Sequence, residues 1–171
     1  MIETIRKQIL KDTGVLIIPA NTTAKKPPLP YGTVNLTSPW IDGKGHPDIF
    51  IYQDAFGHHM RRTEDYQMVI SFQVYAASDA EAVQHAKVIR NWFSLRGQSL
   101  MEDLNVVVVR KGNLENRTTF LVDSYDYKHG FDIQLRATSG EYIANHYQDG
   151  TDTDVDYDWI ETVELEFKGV E

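Results

Sequence analysis

Histidines and carboxylates are the side chains in this sequence that invite a chemical reading, because it contains no cysteine. That absence removes disulfides, thiolate nucleophiles, iron–sulfur clusters and cysteine-ligated zinc together. His46, His58 and His59 fall in a polar stretch where a transition metal could bind. Neighbouring histidines on an extended chain point in different directions, however, and no HExxH spacing sets a pair on one helix face. The residues predict a solvated loop there. His129 stands among apolar residues at strand spacing and reads as a satisfied core or interface histidine. Near the end of the chain, Asp152, Asp154 and Asp156 alternate ahead of Glu161. A calcium loop wants glycine at its sixth position and a bidentate glutamate at its twelfth. Counted from Asp152, those positions hold Tyr157 and Val163, so a self-repelling, solvated loop over about 149–158 is expected.

No other motif carries catalysis. Gly43-Lys44-Gly45 lacks the spacing and the strand–helix setting of a phosphate loop, and no serine sits in a Gly-x-Ser-x-Gly elbow. Asn21, Asn35 and Asn116 open glycosylation-type triplets, which mean nothing without a secretory signal. The expectation is a protein that assembles and is not an enzyme, with no cofactor and no bound metal. The formal net charge of −8 is opposite to the footprint of a nucleic-acid-gripping protein, and Lys25-Lys26 and Arg61-Arg62 are only short basic pairs. No apolar run approaches the roughly 20 residues of a membrane span. The amino terminus shows no secretory pattern either, so synthesis and folding in a cytoplasm are expected.

The elements that must position these residues follow from periodicity. With 42% hydrophobic residues, the chain has material for a core. Ile2, Ile5 and Ile9 share one face of an opening helix that Gly14 can stop, and Gly14 to Pro19 reads as a brief strand. Tyr31 to Ile41 follows as a strand. From Asp42 to Asp65 the pattern dissolves around Ile49-Phe50-Ile51-Tyr52, which predicts a protruding loop or long β-hairpin. Tyr66 to Ala76 alternates cleanly. Ser78 and Glu81 offer a capping box for a helix burying Ala82, Ala86, Ile89 and Phe93, which Gly97 can end. Val106 to Val109 reads as a strand buried on both faces. Gly112 to Arg117 is turn-like, Thr118 to Val122 a short strand, and Tyr125 to Ala137 a long alternating one. Trp159 to Phe167 closes the chain as a last strand. The sum is one α+β domain over 1–171, a twisted, mainly antiparallel sheet with two helices packed on one face and a protruding loop or hairpin at about 42–65.

Segments in this order resemble the phage neck terminator, or tail-terminator (head–tail joining), proteins. They are Pro30 to Ser38, Tyr66 to Tyr75, Ala80-Glu81-Ala82, Ile89 to Phe93, Asn105 to Val109, Asn116 to Thr119 and His129 to Arg136. The resemblance implies a structural virion protein, assembled in the host bacterial cytoplasm and placed in the tail or neck. It implies a homo-oligomer, a hexameric ring at the head-proximal end of a tail. That ring terminates tube growth and meets the tail-tube protein on one side and the head-completion or connector protein on the other. DNA would only pass through its lumen. A different neck component, a head-completion protein or connector stopper, is the nearest alternative. A small metal-dependent hydrolase using His58, His59 and the acidic loop is a remoter one. The residues expected at the oligomer interface are Ile49, Phe50, Ile51 and Tyr52, too apolar to face water alone, and Asn113, Leu114 and Asn116 at the tip of the 112–116 turn.

Overall fold

The computed structural model describes residues 1–23, 25–54 and 57–145. The expected acidic loop and last strand lie outside the described residues. The element order is α1 (Ile2–Thr13), β1 (Leu16–Pro19), β2 (Tyr31–Asp42), β3 (Asp48–Asp54), β4 (Gly57–Tyr75), α2 (Asp79–Trp92), α3 (Gln98–Asp103), β5 (Val106–Lys111), β6 (Glu115–Asn116), β7 (Thr119–Leu121), β8 (Ser124–Asp126) and β9 (Lys128–Asn145). The fold is α+β. Its main sheet runs β1-β2-β4-β9-β5, with β3 paired to β4 and β6 to β9, while β7 and β8 form a separate ribbon. Pairing is antiparallel for β3–β4, β5–β9 and β6–β9, and parallel for β1–β2.

The chain divides into two compact units. The first, 1–41 with 67–137, holds the core. Met68, Ile70, Phe72 and Val74 of β4 and Phe131, Ile133 and Leu135 of β9 occupy alternate positions and are all buried. Period-two alternation sends these side chains to a single face of the sheet. Phe72 stacks on Phe131 at 5.5 Å and meets Phe93 edge-on at 5.4 Å. Ile5 and Ile9 of α1 and Ala82, Ala86, Ile89 and Trp92 of α2 are buried with them. The helices are anchored by local chemistry. Gly14 takes a left-handed φ of 73°, which only glycine adopts freely, and its N–H bonds the Leu10 carbonyl to end α1. Ser78 Oγ accepts from the Glu81 N–H at 3.3 Å, while Glu81 reaches back to the N–H of Ala77 and not of Ser78, a capping box displaced by one residue. The two long helices are joined near their C-terminal ends, where Trp92 Nε1 donates to Asp12 at 2.7 Å. That bond holds the Asp12 carboxyl below its usual range.

Two sequence expectations change. α2 ends at Trp92, and Gly97 precedes a further short helix, α3, whose six residues are too few to show a periodicity. β5 is an edge strand, with Val107 and Val109 exposed, because a run of valines looks the same on one buried face as on two.

On the open face of the first unit, Arg117 crosses β9 above Gly130. Its guanidinium donates to Ser71 Oγ at 2.8 Å and to Asp132 at 3.1 Å. A Cβ on Gly130 would stand 2.6 Å from the Phe72 carbonyl oxygen and 2.9 Å from Arg117 Nη1. The missing side chain leaves room for the Phe72 carbonyl of β4 and for the Arg117 side chain beside β9. Gly130→Ala is expected to cost about 1–3 kcal/mol, the usual penalty for overpacking, read as a lower urea midpoint with unchanged slope.

The second unit is 42–66 with the described part of 138–171, and its frame is the β3–β4 hairpin. Thr138 Oγ1 donates to Asp65 within it at 2.8 Å.

Candidate interaction surfaces

The stretch expected as a loop or hairpin is a hairpin, paired from Asp48↔Thr63 to Asp54↔Gly57. Ile49, Phe50 and Ile51 are 60%, 65% and 66% exposed. Consecutive strand residues point to opposite faces, so both faces of this ribbon present apolar side chains to solvent. Phe50 lies across from Arg61, and Tyr52 across from His59. The Phe50 and Tyr52 rings are 5.9 Å apart, and Tyr52 stacks on His59 at 5.1 Å. Arg62 is bound to Glu64 at 2.9 Å. Arg61 is exposed and makes no ion pair among the described residues.

The segment 112–116 is tethered at both ends, at Gly112 and at Asn116. Arg90 Nε donates to the Gly112 carbonyl at 2.8 Å, and the Gly112 N–H reaches Asp132 O at 2.7 Å. Asn116 pairs with His129 in the β6–β9 ladder, its side-chain oxygen accepts the Thr118 N–H, and its amide reaches Asp79 at 3.4 Å. Asn113 is exposed and Leu114 half-buried.

The exposed tip lies a few residues further on. β7 and β8 pair with Phe120 opposite Tyr125, rings 5.0 Å apart, and Tyr125 stacks on Tyr127 at 5.8 Å. Phe120, Val122 and Tyr125 are 64%, 92% and 58% exposed. The short strand expected over Thr118 to Val122 is β7, but sequence merges its partner β8 into the long strand, because Tyr125 and Tyr127 continue that strand's alternation.

The described histidines fall in different settings. His46 is exposed, whereas His59 is buried beside Tyr52 and is not the solvated loop residue expected. His129 is buried with Nε2 2.8 Å from Asp79 Oδ1, in the first turn of α2, as a satisfied core histidine should be. Among the described residues no group of histidines and carboxylates could hold a metal ion. Tyr31 and Tyr75 stack at 4.9 Å, and burial pushes both phenols above the usual 10.0, so they stay neutral near neutral pH. His129→Ala should therefore act on stability alone, lowering it by about 1–3 kcal/mol through the lost bond. Chemical denaturation checks that figure, and an unchanged number of subunits per particle accompanies it.

The family model described as phage neck terminator protein matches residues 1–170. No curated protein matches the chain. No helix among the described residues is long and apolar enough to cross a membrane.

Proposed function

This chain belongs to the phage neck terminator protein family, and from that premise we propose that copies of it close into a ring that caps the tail tube and joins it to the head. As a member of that family it is a structural virion protein of the phage neck. The finer reading has six subunits per ring, each a single domain over 1–171. One side contacts the last ring of tube protein and the other the head-completion or connector protein. Assembly in the host cytoplasm precedes incorporation.

The observation that carries the ring is the β3–β4 hairpin, whose two faces both leave apolar side chains in water. Monomers seldom leave such a surface uncovered, and interfaces are where it disappears. Ile49, Phe50, Ile51 and Tyr52 form the main contact in this reading, with Asn113, Leu114 and Asn116 at its margin. The net charge of −8 supports a passage for DNA that does not bind it, since like charge does not hold phosphate. The role calls for positioning and not for turnover, so the protein acts without catalysis or cofactor.

The assay is end-capping. Purified protein mixed with tail tubes should appear at one tube end in electron micrographs, and a phage lacking the chain should grow abnormally long tails. Phe50→Ser with Tyr52→Ser should shift the species measured by light scattering from ring to monomer and abolish capping. Binding to the head connector alone, with tubes of normal length, would instead identify a connector stopper.

A further inference from the structure

We propose that the β7–β8 hairpin of one copy of this chain packs against the Phe50 face of the β3–β4 hairpin of the next. The ring then closes by repeating a single head-to-tail contact. This rests on the ring reading and names the two surfaces that meet.

Each hairpin exposes an aromatic ladder. On β3–β4 it is exposed Phe50 beside half-buried Tyr52, and on β7–β8 it is Phe120 and Tyr125, with Val122 at the turn. Aromatic residues and arginine are the types that anchor the centres of protein interfaces. What distinguishes the two ladders is charge. Arg61 stands directly across from Phe50 and makes no ion pair among the described residues, although Asp48 lies further along the same face. Asp123, in the β7–β8 turn beside Val122, is exposed and likewise makes no ion pair among the described residues. Arg62 and Arg117, by contrast, are engaged, the first by Glu64 and the second by Glu115 and Asp132.

These charges select between symmetries. Two Phe50 faces packed about a two-fold axis at Arg61 would bring guanidinium to guanidinium, and two β7–β8 tips packed at Asp123 would bring carboxylate to carboxylate. Like charges forced together at an interface suppress that pairing, while unlike ones fix the register. Each surface is thus disfavoured against itself and suited to the other. Contact between two different patches is heterologous, the arrangement that generates rings, whereas a self-complementary patch stops at a two-fold dimer.

A charge exchange tests the pairing. Arg61→Asp and Asp123→Arg should each raise the protein concentration at half-assembly by about tenfold or more, followed by light scattering on samples whose circular dichroism matches the parent. The doubly exchanged chain should recover most of that loss, because every contact again has opposite charges. Assembly unaffected by the single changes, or a double variant as weak as the singles, overturns the pairing while leaving the ring intact. A parent chain that neither assembles nor caps tubes counts against the ring itself. For that event the absence of native cysteine offers a second measurement. Equal amounts of Asp48→Cys and Val122→Cys protein, carrying tags of different size, are treated with a short bis-maleimide. The mixed product should exceed both like-with-like products, and its absence also overturns the pairing.

Discussion

One-sided burial of the main sheet is the constraint on which the rest of this molecule depends. Phe72 sits where β4, β9 and the end of α2 meet, touching Phe131 on one side and Phe93 on the other. Burying an aromatic or aliphatic side chain is worth about 1.5–3 kcal/mol. The alternating residues of β4 and β9, with the inward stripe of α1 and α2, concentrate that gain on one face. The opposite face is left to polar contacts: Gln134 with Gln67, Arg117 with Ser71 and Asp132, and Thr37 with the Val69 carbonyl.

The connections that leave the core are either pinned or free, and the difference is a matter of hydrogen bonds. The 112–117 segment is pinned by Arg90, by the bond from the Gly112 N–H to the Asp132 carbonyl and by the space that Gly130 leaves for Arg117. Glycine at 130 is required there by proximity, not by a left-handed backbone. The β7–β8 ribbon beyond it has its own ladder and aromatic pair, and its apolar side chains stay in water. The β3–β4 hairpin is likewise closed by its backbone and left open by its side chains. The proposed ring would draw on surfaces of this kind, since association energy comes from apolar area still exposed in the protomer. Exposed ladder edges would otherwise invite irregular pairing, and charges such as Arg61 and Asp123 restrict which surfaces can meet.

Family membership and the physical reading converge from separate directions. The match extends over residues 1–170, so it covers both compact units and not a fragment. Independently, several side chains able to do chemistry are spent on structure among the described residues. His129 holds Asp79 at the start of α2, His59 packs on Tyr52, and Asp12 receives the Trp92 indole.

By itself the sequence determined the elements with strong local signals. Tyr66 to Ala76 and Phe131 to Ala137 alternate because a half-buried strand must, Ala82, Ala86 and Ile89 repeat at helical spacing, and Gly14 and Ser78 mark helix ends. It also singled out Ile49 to Tyr52 as apolar residues in polar company. Tertiary structure decided what local pattern leaves ambiguous. Whether Val106 to Val109 is central or at an edge depends on strand order, which no short window encodes. Whether Tyr125 belongs to the core strand or to a separate ribbon depends on where β9 begins its pairing with β5 and β6. The 112–116 turn is held down, and the Phe120–Tyr125 ribbon left exposed, by contacts with residues distant in the chain: Arg90, Asp132 and Ser71. Those contacts exist only once the sheet has formed, so the choice of which surface remains open belongs to the fold.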